Sequence, residues 1–162
     1  MALERFHEAQ NQRGQGFSAA LAELQTGEKT SHWIWYVFPQ LAGLGRSSTA
    51  QFYAVRDGAE ACAYLADTTL RGRLLRVTEV VAAQLAGGVP LVRLMGGRTD
   101  ALKLVSSLTL FEWAARAMKP VGTSEAAELQ TLRERCGDVL GAATDAGFPR
   151  CDDTLNALAR SL

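Results

Sequence analysis

Apolar residues recur along most of the chain at intervals of three and four, the spacing that lays them on one face of an α-helix. Leu3, Phe6 and, one turn on, Ala9 predict a first helix that ends near Gly14. After the Gly14-Gln15-Gly16 break, Phe17, Ala20, Leu21 and Leu24 predict a second, which Gly27 stops. Ser47, Ser48 or Thr49 is placed to cap a helix through Ala50, Tyr53 and Ala54. Two alanine- and leucine-rich helices are expected from Ala59 to Ala66 and from Leu70 to Leu85, the latter ended by Gly87-Gly88. Beyond Gly96-Gly97, Thr99 or Asp100 caps the strongest predicted helix, from Ala101 to about Met118, closed by Pro120. Further helices are predicted from Ser124 to about Arg135 and from Asp153 to Leu162. The stretch GDVLGAATDAGFP, with three glycines, is assigned no element.

One segment breaks the pattern. Trp33 to Phe38 is rich in aromatic and β-branched residues, which favour strands, yet it is too short for its period to decide, and Pro39 ends whatever precedes it. Elsewhere no paired strands with hairpin turns and no internal repeat are found. The expected class is therefore all-α, a compact array of about seven to eight helices in a single domain over residues 1–162. A chain of this length buries roughly 70% of its unfolded surface, enough for a full core.

Composition narrows the function classes. Seventeen Lys plus Arg balance seventeen Asp plus Glu, so no global field draws the protein to nucleic acid or an anionic membrane. The charged N-terminus does not read as a signal peptide, and no apolar run approaches the roughly 20 residues that span a bilayer; a cytoplasmic location is expected. Three scattered cysteines and two histidines give no zinc-site spacing, so neither metal nor cofactor is expected.

Three blocks together carry a resemblance: LERFHEAQ from Leu3, SHWIWYVFPQLAGLGRSSTAQFYAV from Ser31, and DALKLVSSLTLFEWA from Asp100. They resemble a bacterial family of unknown function, some of whose members are mislabelled "calpastatin". The resemblance runs over about the first three quarters of the chain and implies a small all-helical fold. It implies no mechanism. Gly96 to Thr99 and the glycine-rich C-terminal quarter depart from the family pattern.

The candidate chemistry lies in the same blocks. Gly45, Arg46 and Ser47 precede a predicted helix start, where free backbone N–H groups and a guanidinium would cradle an anion, or else form a plain turn and cap. The string lacks the ending of a Walker loop and the third glycine of a dinucleotide fingerprint. Trp33 and Trp35, two positions apart, point to different sides if the segment is helical, so one packs inward while the other lines a surface; either ring would stack a flat ligand. Gln40 either pins the loop after Pro39 or reads a ligand. His32 and Asp100 are the acid/base candidates. Asp100, Lys103 and Ser107 share one line of their helix between apolar stripes, where Lys103 either pairs with Asp100 or adds a cation to the cradle. Arg5 is read as a partner of Glu8 or a contributor to the site, and Gln10 and Gln12 as surface amides. The reading is a domain binding a small anionic ligand, nucleotide or ADP-ribose-like, between the Ser31 to Ser48 block and the helix after Asp100. If an enzyme, it would be a hydrolase or transferase. The alternative is a non-catalytic protein-interaction module.

Overall fold

Three long helices form the centre of the molecule: α6 (Thr68–Ala86), α8 (Arg98–Ala117) and α9 (Thr123–Asp145). The structure is a computed structural model and describes residues 3–160. Helix α9 packs along both α6 and α8. Seven shorter helices surround them: α1 (Glu4–Gln10), α2 (Phe17–Thr26), α3 (Ile34–Val37), α4 (Ser48–Tyr53), α5 (Gly58–Ala66), α7 (Leu91–Leu94) and α10 (Asp152–Arg160). Helix α2 lies on α6, α5 on α8, and the single turn of α3 touches α1, α4 and α8.

The all-α expectation holds, since the described residues contain no strand and only an isolated parallel bridge, Leu41 to Val55. Two single-turn helices, α3 and α7, take the number to ten among the described residues. The ambiguous Trp33 to Phe38 run is a turn of helix because Ile34, Tyr36 and Val37 all find core neighbours around it and no strand lies alongside.

Helix α8 is apolar round most of its girth, burying Ala101, Leu104, Val105, Leu108, Leu110 and Phe111, as befits a helix enclosed by others. Each such Leu or Phe contributes about 1.5–3 kcal/mol on leaving water. Its start differs from expectation. It begins at Arg98 behind Gly97 with no side-chain cap, so neither Thr99 nor Asp100 serves as the cap. The predicted Ser124 to Arg135 helix runs on to Asp145, through Gly137 and Gly141, because Cys136, Val139, Leu140 and Ala143 are buried against the centre. Burial there outweighs the poor helix propensity of glycine. The chain then turns at Gly147 in the left-handed region and buries Phe148. The last two positions of the predicted C-terminal helix lie outside the described residues. Among those described, no helix is long and apolar enough to cross a membrane.

Candidate functional site

A cleft of about 560 Å³ opens where three separate segments meet. The loop after α1 supplies Gln12 and Gln15, the α3 region supplies His32, Trp35 and Tyr36, and α4 supplies Ser48, Thr49, Phe52 and Tyr53.

The walls are held by buried polar contacts. Gln10, at the end of α1, is 3% exposed and donates to the Tyr36 carbonyl at 2.8 Å and to the Tyr64 hydroxyl at 3.0 Å. Its own carbonyl accepts from Arg73 at 3.3 Å. The expectation of a surface amide is thus corrected: Gln10 ties α1 to α3, α5 and α6. The Tyr36 hydroxyl donates to the Gln15 carbonyl at 2.6 Å, which closes the α1–α2 loop against α3. Burial, and then the neighbouring Tyr53, push the Tyr36 phenol above its ordinary range. The ring centroids of Tyr36 and Tyr53 lie 5.1 Å apart, and Phe52 meets Tyr53 edge-on at 4.8 Å.

Helix α4 fully buries none of its residues; Tyr53 packs half-buried on the core, and the rest of the helix is held from outside. Arg5 reaches over from α1, donating from Nε to the Phe52 carbonyl at 2.9 Å and from Nη2 to the Ala54 carbonyl at 2.7 Å. The same guanidinium meets Glu60, a buried carboxylate on α5, at 2.8 Å. Burial raises the Glu60 pKa, but bonds from Arg5 and from the Arg56 amide more than reverse this, leaving it below the usual range. Arg5 therefore positions the cleft's outer wall from behind.

The sequence-predicted residues divide. Trp35 and His32 are on the cleft wall. Trp33 is fully enclosed, its indole donating to Glu23 at 3.0 Å, so it offers no face to a ligand. Ser47 caps α4, its hydroxyl accepting from the Ala50 amide at 3.1 Å. Gly45 permits a close approach, because a Cβ there would lie 2.5 Å from the Ala50 methyl. Arg46 is exposed at the foot of α4, and its carbonyl accepts from Gln51. Gln40 is half-buried, and its carbonyl accepts from Val55 at 2.8 Å beside the Leu41 bridge.

The α8 residues sit behind the wall. The Lys103 ammonium lies 5.1 Å from the Trp35 ring centre and 3.9 Å from Asp100. Asp100 is in turn engaged at 2.7 Å by Lys29, whose side chain is almost fully buried. Ser107, one turn beyond Lys103, is buried, and its hydroxyl and the Trp35 indole N–H are both buried without a hydrogen-bond partner among the described residues. Asp100, Lys103 and Ser107 do not themselves line the cleft.

Sequence reading missed Gln12 and Gln15 of the α1–α2 loop as parts of one site with the α3 and α4 residues. The three glutamines clustered around Gly14, in QNQRGQG, were the available signal. No group of three or more metal-ligating side chains is found among the described residues.

No curated protein matches the chain. Among solved structures, the crystal structure of the conserved hypothetical protein Rv1873 from Mycobacterium tuberculosis matches with a TM-score of 0.73 and 32% identity, covering 97% of this chain and 96% of that one. A family model described as "Protein of unknown function (DUF1810)" matches residues 1–128, which include every residue of the cleft. The chain belongs to that family.

Proposed function

We propose that the cleft binds a small molecule with a flat ring, of the nucleoside or nucleotide class that includes ADP-ribose-like compounds. The observation that carries this is the convergence of four aromatic rings and five hydrogen-bonding side chains, from three segments, on a space of about 560 Å³. That volume falls within the roughly 300–1,000 Å³ of small-molecule sites, and mixed aromatic and polar walls suit a base that is both stacked and hydrogen-bonded. The wall carries no lysine or arginine. An anionic tail would be met outside the wall, by Arg46, which is exposed two residues before Ser48, and by Arg13, which is exposed between the two lining glutamines in the chain. Lys103 supports Trp35 from behind its ring rather than touching the ligand. His32 is the imidazole on the wall and the acid/base candidate if chemistry follows binding.

Thermal shift and calorimetry with adenosine, AMP and ADP-ribose test the reading, since ligand bound to the native state raises apparent stability. Phe52 is 60% exposed, so Phe52→Ala should leave the melting temperature of the free protein nearly unchanged while weakening binding by roughly 5- to 100-fold. Arg46→Ala should weaken AMP and leave adenosine unaffected. If none of the three compounds stabilises the protein, the nucleotide reading fails.

The second reading, a protein-interaction surface, draws on exposed Phe52 standing on a helix with no buried residue. It predicts concentration-dependent association that Phe52→Ala abolishes, readable by sedimentation across a wide concentration range.

A further inference from the structure

A different part of the molecule, between α8, α9 and the chain that follows α9, carries an arginine-lined groove. Its keystone is Glu112 on α8, only 8% exposed, which accepts a two-pronged contact from Arg150, 3.0 Å from Nε and 3.1 Å from Nη2. The carboxylate and the guanidinium neutralise each other, and the pairing holds Arg150 in place.

On one side of this pair a cavity of about 500 Å³ is lined by Arg116 of α8 and Arg133 of α9 as well. The other acid on that wall, Glu134, is occupied by Arg135 at 3.5 Å and by Gln130 at 3.3 Å. Arg133 makes no ion pair with any described residue, and Arg116 approaches Glu112 only at 4.0 Å with its side chain 67% exposed. Two guanidinium groups from two helices therefore border the cavity with their charge largely uncommitted.

On the other side of the pair, a hollow of about 340 Å³ shares Arg116 and Arg150 and is walled by Trp113 and Leu155. The Trp113 ring is fixed there. A Cβ on Gly58 would lie 2.6 Å from it, so α5 backs it directly. The groove thus has a cationic half and an apolar half, joined across the Glu112–Arg150 pair.

We propose that this groove binds a small amphiphilic acid, its carboxylate or phosphate head on Arg116 and Arg133 and its apolar body against Trp113 and Leu155. Guanidinium forks match the oxygen geometry of both heads. The Glu112 carboxylate repels an anion from the floor and occupies Arg150, which directs the head to the two outer arginines. This site is independent of the cleft at α4.

Calorimetry at constant ionic strength with phenyl phosphate, benzoate, phenol and inorganic phosphate tests it. At least one of the two aromatic acids should bind about tenfold or more tightly than phenol or inorganic phosphate, and the tighter of the two identifies the head. Arg116→Ala and Arg133→Ala should each weaken that binding roughly tenfold, while Arg46→Ala leaves it unchanged. Circular dichroism melts of each variant verify the fold; Arg116 is exposed enough that its variant will hold it. Absence of binding by both aromatic acids, phenol or inorganic phosphate binding as tightly as the tighter of them, or unchanged affinity in both arginine variants would each overturn the proposal.

Discussion

Glu23 receives three donors on a single carboxylate oxygen: the Trp33 indole at 3.0 Å, the Thr30 amide at 2.7 Å and the Ser31 amide at 2.9 Å. One acid on α2 thereby folds the loop that sends Trp33 into the core and leaves its neighbour His32 on the cleft wall. Burial raises the Glu23 pKa, and the bonds from the Ser31 hydroxyl, the Thr30 and Ser31 amides and the indole overcome it, holding the group at about 2. Its folded pKa lies below the ordinary 4.5, so its contribution is complete above that value and is lost as pH falls toward 2. Denaturant melts between pH 6 and pH 2 should show the wild type losing stability over this window and Glu23→Gln losing less. At pH 7 the variant should already be less stable by about 1–2 kcal/mol. Parallel pH profiles for the two proteins would refute this role.

Gly96 lies where the α7–α8 turn crosses the same loop. Its φ of 73° is in the left-handed region, and a Cβ there would be 2.6 Å from the Lys29 carbonyl oxygen. Gly96→Ala should cost about 2–3 kcal/mol, combining backbone strain with a clash against backbone that cannot swing aside. Gly88→Ala, also at positive φ but with open space around it, should cost less. Chemical denaturation of the pair separates strain from clash.

Arg5 offers a test of how α4 is held. Arg5→Lys retains the charge beside Glu60 but cannot reach two carbonyls and a carboxylate in one plane. A loss of about 2 kcal/mol is expected, with faster amide hydrogen exchange concentrated in residues 48–53. Exchange that quickens evenly over the whole chain would contradict an anchoring role.

Lys103→Met keeps the length of the side chain and removes the ammonium above Trp35. Asp100 retains Lys29, so the cost should stay below about 1 kcal/mol. The tryptophan emission should shift, since the charge beside one of three indoles is gone. An unchanged spectrum would argue that the two groups do not interact in solution.

The helical class was legible because Leu, Ala and Val fall at helical spacing between glycines and prolines that end each run. The division between Trp33 and Trp35 was legible for the same reason, once the segment is helical. Other features depend on residues far apart in the chain. Nothing local in Asp100 reveals that Lys29, seventy-one positions earlier, lies against it. The continuation of α9 through Gly137 and Gly141 is decided by burial between α6 and α8, which no window around those glycines contains. The glutamines of the α1–α2 loop reach the α3–α4 wall only because Tyr36 fastens that loop down.

Helix α4 gives the core only the half-buried Tyr53 ring and is otherwise held by the Ser47 cap and by Arg5, whose bonds beside it are to the backbone carbonyls of Phe52 and Ala54. Carbonyls are indifferent to the side chains around them. The outer face of the cleft can therefore be rewritten at the exposed Thr49 and Phe52 while the scaffold keeps its stability.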